Sequence, residues 1–436
     1  MWSDNPVNSL TVGEAMYRLA ADLYPLPRSI TGEGFRETIR RIGELIPLAV
    51  TETPTGTPVF DWTVPKEWNL RDAWVTDPAG ERIIDLRDST LHVVNYSVPV
   101  RRTLSLAELR PHLHSLPDHP DWVPYRTSYY DETWGFCLTH RLRESLREGT
   151  YEVCIDSSLE PGSLTYAECV LPGDDPREVL LSCHSCHPAL ANDNLSGITL
   201  AVALARALSA REHRRWTYRF LFIPGTIGAI TWLARNPALA RRVQHGLVLA
   251  CVGDRGHLTY KRSRRGNAPI DRTVAHVLRH AGAPYELMDF IPYGYDERQY
   301  CSPGFDLPVG CFMRTPNGQY REYHTSADDL DFITPAHLGD SFARALDVVQ
   351  LLEGDRVYVN THPCCEPQLG TRGLYRTTGG TDVPGYELAL LWVLNQSDGA
   401  HSLLDVAERA TLPFGVVRRA ADDLLRAGLL REGASA

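Results

Sequence analysis

The chain has 436 residues, a hydrophobic content of 43% and a formal net charge of −10 at pH 7, which describes a globular protein too long for one ordinary domain. The acidic balance argues against broad nucleic-acid binding. Apolar runs such as "HGLVLACVG" are short and interrupted, and the opening "MWSDNPVNSL" has neither a basic segment nor an apolar core, so neither a membrane span nor a secretory signal is expected.

From about residue 10 to 47 the apolar spacing is helical in two pieces, separated by Pro25, Pro27 and a cap at Thr31. Residues 58–165 change character: short runs rich in Trp, Val and Thr, broken by "DPAG" and other turn signals, read as a β-rich insert. From about 178, short apolar runs alternate with helices: "EVLLSC", then "LSGITLAVALARALSA", "YRFLFIP", a helix from about Thr226, and "GLVLACVG". That alternation predicts an α/β fold with a largely parallel sheet, whose chemistry sits in loops at the carboxyl ends of strands. A further strand, "LPVGCFM", precedes "YREYHTSADDLDFI" and the helix "PAHLGDSFARALDVVQLLE". A Pro- and Cys-containing connector then leads to three helical periods between about 385 and 432, which resemble a winged helix. The expected division is 1–57 helical, 58–165 insert, 166–365 metal domain, and 366–436 connector with winged helix.

The densest chemistry is "CHSCHPALANDNLSG". The run "VLLSC" delivers His184 and His187 to a strand's carboxyl end, "DNLSG" opens the next helix, and Asp193 lies in the loop between. Imidazole and carboxylate together suit Zn²⁺. Cys183 and Cys186 form a C-x-x-C, but no second pair follows at knuckle spacing. Ten cysteines scattered through a large chain fit a reducing compartment, so a cytoplasmic protein is expected.

"ANDNLSG" resembles the bridging-aspartate motif of the zinc aminopeptidases, co-catalytic two-zinc exopeptidases with a phosphorylase/hydrolase-like fold. The resemblance implies a mixed sheet flanked by helices. It also implies metal ligands at His187 (or His184), Asp193, Asp254 in "CVGDRG" and His324 in "YHT". The whole chain, with "FDWTVPKEWNL", "PGTIGAITWL", "YKRSR", "GYDERQYCSPG" and "EPQLGTRGLY", more closely resembles a bacterial aminopeptidase-like family found among polysaccharide and secondary-metabolite biosynthesis genes. Its members carry the β insert and the terminal winged helix.

One departure stands out. Where the peptidases have a Glu-Glu pair, base then ligand, this chain has Gly225-Thr226. Glycine takes no proton, and Thr226 reads as a helix N-cap rather than a ligand. One zinc ion is therefore as credible as two, and the base must come from elsewhere. Position in "YGYDERQYCSPG" makes Glu297 the expected general base or extra ligand. Arg298 is the expected partner of a substrate carboxylate or phosphate, with Tyr323 beside His324 completing the substrate side.

The terminal block, 385–436, holds five Arg against seven acids, the wrong sign for phosphate contacts. An intramolecular or dimer contact is the expected use. The leading expectation is a zinc-dependent amide hydrolase acting on a small-molecule or peptide substrate, with no nucleic-acid or membrane partner. The alternatives are a catalytically silent binding protein and an acyl transferase or cyclase on the same scaffold.

Overall fold

The computed structural model describes residues 9–374 and 385–433; most of the opening "MWSDNPVNSL", part of the connector at 375–384 and the last three residues lie outside the described part. The described chain forms two compact units, one reaching Asp271 and including Pro284–Ala343, the other made of Arg272–Ala283 and the chain from Arg344 onward.

The first unit begins with helices α1 (Ser9–Leu23) and α2 (Glu33–Gly43), then builds an eight-stranded sheet. In chain order its strands are β1 (Ala49–Pro54), β2 (Ser163–Leu171), β3 (Asp175–His184), β4 (Trp216–Ile223), β5 (Val243–Leu249), β6 (Leu258–Lys261), β7 (Tyr285–Met288) and β8 (Val309–Met313). Their spatial order is β1-β2-β4-β3-β5-β8-β6-β7. The central strands β4, β3, β5 and β8 are mutually parallel, so their carboxyl ends share one edge. The outer pairings β1/β2, β2/β4 and β6/β8 are antiparallel, which makes the sheet mixed, as expected. Ala49–Pro54 falls in the stretch read as helical but is an edge strand, paired with Ser163–Glu168.

Strand β3 reads as a near-continuous apolar run because both faces are covered, and Val179, Leu180 and Leu181 are buried. Helix α3 (Gly197–Ser209) lies close against the sheet. A Cβ on Gly197 would come within 2.3 Å of the Leu249 carbonyl, so only glycine lets the helix start at the end of β5.

The insert is a four-stranded antiparallel sheet, ordered Arg82–Asp85, Glu67–Thr76, Thr150–Glu160 and Val100–Ser105. It does not have a core of its own. Trp68, Val153 and Phe136 belong to the same apolar cluster as Tyr166, Leu180, Leu221 and Trp232 of the main sheet and its helix, so insert and metal domain form one unit.

In the second unit, helices Tyr386–Gln396, Leu403–Ala410 and Phe414–Arg426 surround Leu390, Val393, Val406, Val417 and Leu424. A three-stranded antiparallel sheet, ordered Asp398–Ser402, Val357–Asn360 and Leu430–Glu432, completes the winged-helix arrangement. This unit starts before residue 366 because Val357–Asn360 is its central strand. It includes Arg272–Ala283 because Arg272 pairs with Asp405 and Glu408, and the His276 ring accepts the Phe414 N–H. All ten cysteines are free, eight of them buried, and among the described residues no helix is long and apolar enough to cross a membrane.

Three strands of the main sheet are tied by one buried charge. Arg219 of β4 donates to both oxygens of Glu178 on β3, at 2.6 and 2.9 Å, and to Glu168 on β2 at 2.6 Å. Trp232 Nε1 donates to the same Glu168 oxygen at 2.9 Å. Arg219→Ala strands the buried Glu178 carboxylate, and the expected loss is about 3–5 kcal/mol. Urea unfolding measures it; an unchanged midpoint would show that other donors reach Glu178.

Candidate metal centre

The site is built at the shared edge of the parallel strands. β3 ends on His184, whose ring is buried and stacked on Tyr295 at 4.5 Å. The loop that follows brings back His187, whose carbonyl is held by Arg28 Nε at 2.8 Å. Residues Ala191–Ser196 then make a buried irregular turn, with Asp193 (φ −110°, ψ 83°) and Asn194 (φ −143°, ψ 38°) outside helical dihedrals.

A buried irregular turn cannot satisfy its backbone through a ladder, so side chains must do it. Asp328 accepts the N–H groups of Asn192 at 2.6 Å and Asp193 at 3.0 Å. Asn192 accepts from Gly253 N at 2.9 Å, while Asn194 donates to the Leu249 carbonyl at 2.9 Å and accepts from Cys251 N at 3.2 Å. The two asparagines of "NDN" thus anchor the turn, and Asp193 is left to face inward.

Asp193 is fully buried. Its Oδ1 lies 2.8 Å from His184 Nε2 and 3.0 Å from the donating Tyr295 hydroxyl. Its Oδ2 lies 3.0 Å from His324 Nε2 and 3.5 Å from His187 Nδ1. Burial by itself would push this carboxyl up, but the electrostatic pull of His187 and the hydrogen bonds from His184 and His324 hold it well below the usual carboxylate range. One ligand atom each from His184, His187 and Asp193 lie within 4.8 Å of one another, a group that could hold a metal ion. Beyond the long 3.5 Å approach of Asp193 Oδ2, the buried His187 Nδ1 has no hydrogen-bond partner among the described residues, which is costly for an imidazole nitrogen unless a ligand takes its lone pair. Tyr125 stands edge-on to both His187 and His324, at 5.2 and 5.1 Å, and Tyr323 stacks on His324 at 4.0 Å.

The structure thus brings His187, Asp193 and His324 together and adds His184 to them. It does not bring in Asp254. The chain turns at Cys251 (φ 51°) beyond β5, and both Asp254 oxygens are taken by Thr315, Gly256 N and Asn192. At that strand end it is Cys251 that nears the cluster, its Sγ 3.1 Å from the Tyr295 hydroxyl.

Glu297, expected as base or extra ligand, is buried in an ion pair with Lys261, whose ammonium also donates to the Tyr293 carbonyl at 2.8 Å. Arg298 is half-buried, with Nε lacking a hydrogen-bond partner. Thr226 precedes the helix Ile227–Arg235 but makes no side-chain cap. Cys186 is no knuckle ligand: its Sγ accepts from Gly225 N at 3.4 Å, and burial pushes the thiol up to about 12. Sequence reasoning missed Tyr295, Cys251 and Asp328. All three lay in stretches already singled out, Tyr295 in "YGYDERQYCSPG", Cys251 in "CVGDRG" and Asp328 in "YHTSADD", but next to residues that drew the attention.

Residues 17–355 match a family model described as a domain of unknown function, DUF4910, and residues 356–432 match a winged helix-turn-helix model. A Clostridium acetobutylicum protein named for polysaccharide biosynthesis and an aminopeptidase-like domain is 49% identical over 425 residues, 97% of this chain and 98% of that protein. A solved structure from the same organism, described as a candidate peptidase, is 48% identical with a TM-score of 0.93, covering 98% of this chain and 97% of its own. A zinc aminopeptidase from Bacillus subtilis shares the fold, with a TM-score of 0.58 at 12% identity over 78% of this chain and 94% of its own.

Because Asp328 holds the turn that aims Asp193, Asp328→Ala should weaken metal binding by this group about 10–100-fold. Calorimetric titration of chelator-stripped protein reads this; wild-type affinity in the variant would show that the turn holds its shape without Asp328.

Proposed function

The chain belongs to the DUF4910 family, and from that membership and the cluster around Asp193 we propose that it is a zinc-dependent amide hydrolase of aminopeptidase type. The observation that carries the reading is the buried His187 Nδ1, which makes no well-formed hydrogen bond among the described residues and only a long 3.5 Å approach to a carboxylate that also meets His184 and His324. Three imidazoles and one carboxylate suit zinc better than magnesium or calcium, which prefer oxygen donors. In this reading His184, His187, Asp193 and His324 hold one ion rather than two. Support comes from Asp254, whose oxygens are committed elsewhere, and from the Tyr295 hydroxyl on Asp193 Oδ1.

A bound zinc ion would supply Lewis acidity to the carbonyl oxygen of an amide. The chain's own residues do the rest. Tyr323, stacked on His324, forms an apolar wall for the substrate, and Arg298 offers an unpartnered guanidinium nitrogen for a carboxylate or phosphate. The Asp193 carboxylate keeps the imidazoles oriented. The substrate class in this proposal is an aminoacyl or acylated intermediate, peptide or amino sugar. The name of the Clostridium acetobutylicum relative supports placing it in polysaccharide biosynthesis, and ten unpaired cysteines support a cytoplasmic setting. The winged helix serves as an interaction module in this reading. A second reading, a metal-holding protein without turnover, draws on the lack of any side chain at Gly225.

Protein purified without chelator should carry about one zinc ion per chain, and His187→Ala or Asp193→Ala should lose most of it. Elemental analysis measures this. The zinc-loaded protein should hydrolyse members of a panel of aminoacyl amides and N-acyl amino sugars, lose that activity to chelator and regain it with zinc. A metal-free wild type sinks the reading outright, whereas a zinc-loaded protein inert on the whole panel favours the second one.

A further inference from the structure

The acidic side chains gathered at the strand ends differ in one respect. Asp193 faces imidazoles and a tyrosine, Asp254 faces Thr315 and Gly256 N, Asp328 faces two backbone N–H groups, and Glu297 faces Lys261. Asp296 faces no such donor: it is fully buried, and neither of its carboxylate oxygens has a hydrogen-bond partner among the described residues. Burying a carboxylate in this way is costly, and unsatisfied buried groups of this kind are concentrated where chemistry uses them.

Its position is equally specific. Asp296 opens the short helix Glu297–Tyr300 and directly follows Tyr295, whose hydroxyl donates to Asp193 and whose ring stacks on His184. A Cβ on Gly225 would stand 3.8 Å from Asp296 Oδ2 and 2.9 Å from His184 Cβ. Gly225 is itself partly exposed. Gly225 therefore packs directly against His184 of the cluster, with the unpaired Asp296 carboxylate just beyond it, and any side chain at 225 would collide with His184.

On the hydrolase reading above, we propose that Asp296 is the carboxylate that transfers the proton during amide hydrolysis. As the oxygen of a water molecule bonds to the carbonyl carbon, one of its protons passes to Asp296. The C–N bond then breaks, Asp296 returns that proton to the leaving nitrogen, and the carboxylate ends as it began. Burial, reinforced by Glu297 and opposed by Arg298, pushes the Asp296 carboxyl well above the usual range, the direction that suits a group exchanging protons near neutral pH. The other titratable groups that feel it are Cys183, Cys186, Tyr300 and Cys311.

The test uses the full-length, zinc-loaded protein. Asp296→Asn should keep its zinc and its melting temperature while amide turnover falls at least about 100-fold. In the cobalt-loaded protein, the pH at which the visible spectrum changes should shift between wild type and Asp296→Asn, a readout independent of turnover. Asp296→Ala, whether or not the asparagine variant folds, should regain part of its activity when formate is added, which a purely structural role would not produce. Turnover retained within about threefold by Asp296→Asn, loss of zinc from it, an unshifted cobalt spectrum or failure of formate rescue each overturns the proposal. Absence of turnover in zinc-loaded wild type overturns the hydrolase reading and this proposal together, so the two failures are told apart by the wild type.

Discussion

A carboxylate with no surface in water is tolerated only where donors surround it, and the strand-end side of the main sheet is organised around that requirement at Asp193. The groups that meet it arrive from separate places in the chain. His184 comes from the end of β3, His187 from the loop beyond it, Tyr295 from the segment after β7, and His324 from the segment after β8. Each loop is thereby tied to the same buried charge. The parallel arrangement of β4, β3, β5 and β8 is what makes this economical, since it opens their carboxyl ends on one side.

The polar residues near that charge divide into those that hold the backbone and those that face inward. Asn192, Asn194 and Asp328 serve the backbone of a buried turn that no sheet or helix satisfies. Their side chains are as buried as Asp193 and as polar, but most of their partners are backbone N–H and C=O groups, with Asn192 also donating to Asp254 and Asn194 Nδ2 lying 3.3 Å from His184 Nδ1. What separates Asp193 is that its oxygens face ring nitrogens, one set of which includes an imidazole nitrogen with no hydrogen bond of its own. Partner identity, more than burial, distinguishes scaffold from site here.

The same distinction sorts the other acids. Asp254 and Glu297 both sit at strand-end positions where chemistry is expected, and both are committed to structural partners, one to Thr315 and Gly256 N, the other to Lys261. A buried Lys–Glu pair holds its charges firmly, because separating them would leave each uncompensated in a medium of low dielectric. Such a glutamate is committed to its lysine.

The sequence by itself determined the architecture and the core of the cluster. Period-2 and period-3.6 patterns, with the change of character at 58 and 178, marked out the helices, the insert and the parallel strands. An apolar run ending in "CHSCH" and followed by "NDN" placed His184, His187 and Asp193 at one strand end. Those features are local: a buried strand must be apolar, and a polar cluster at its end must be paired. Only the tertiary structure decided which acids join the cluster, because that depends on partners far away in the chain. Asp254 is separated by 61 residues from Thr315, whose backbone N–H and hydroxyl meet its two oxygens. Lys261 at the end of β6, and Tyr295 and the unpartnered Asp296 in the segment after β7, come together only through long-range packing. The boundary of the second unit was hidden for the same reason, since Val357–Asn360 is the middle strand of a sheet whose other strands lie some forty to seventy residues further along the chain. Side-chain direction beyond a strand end is set by loop dihedrals and long-range donors, and neither is written in local periodicity.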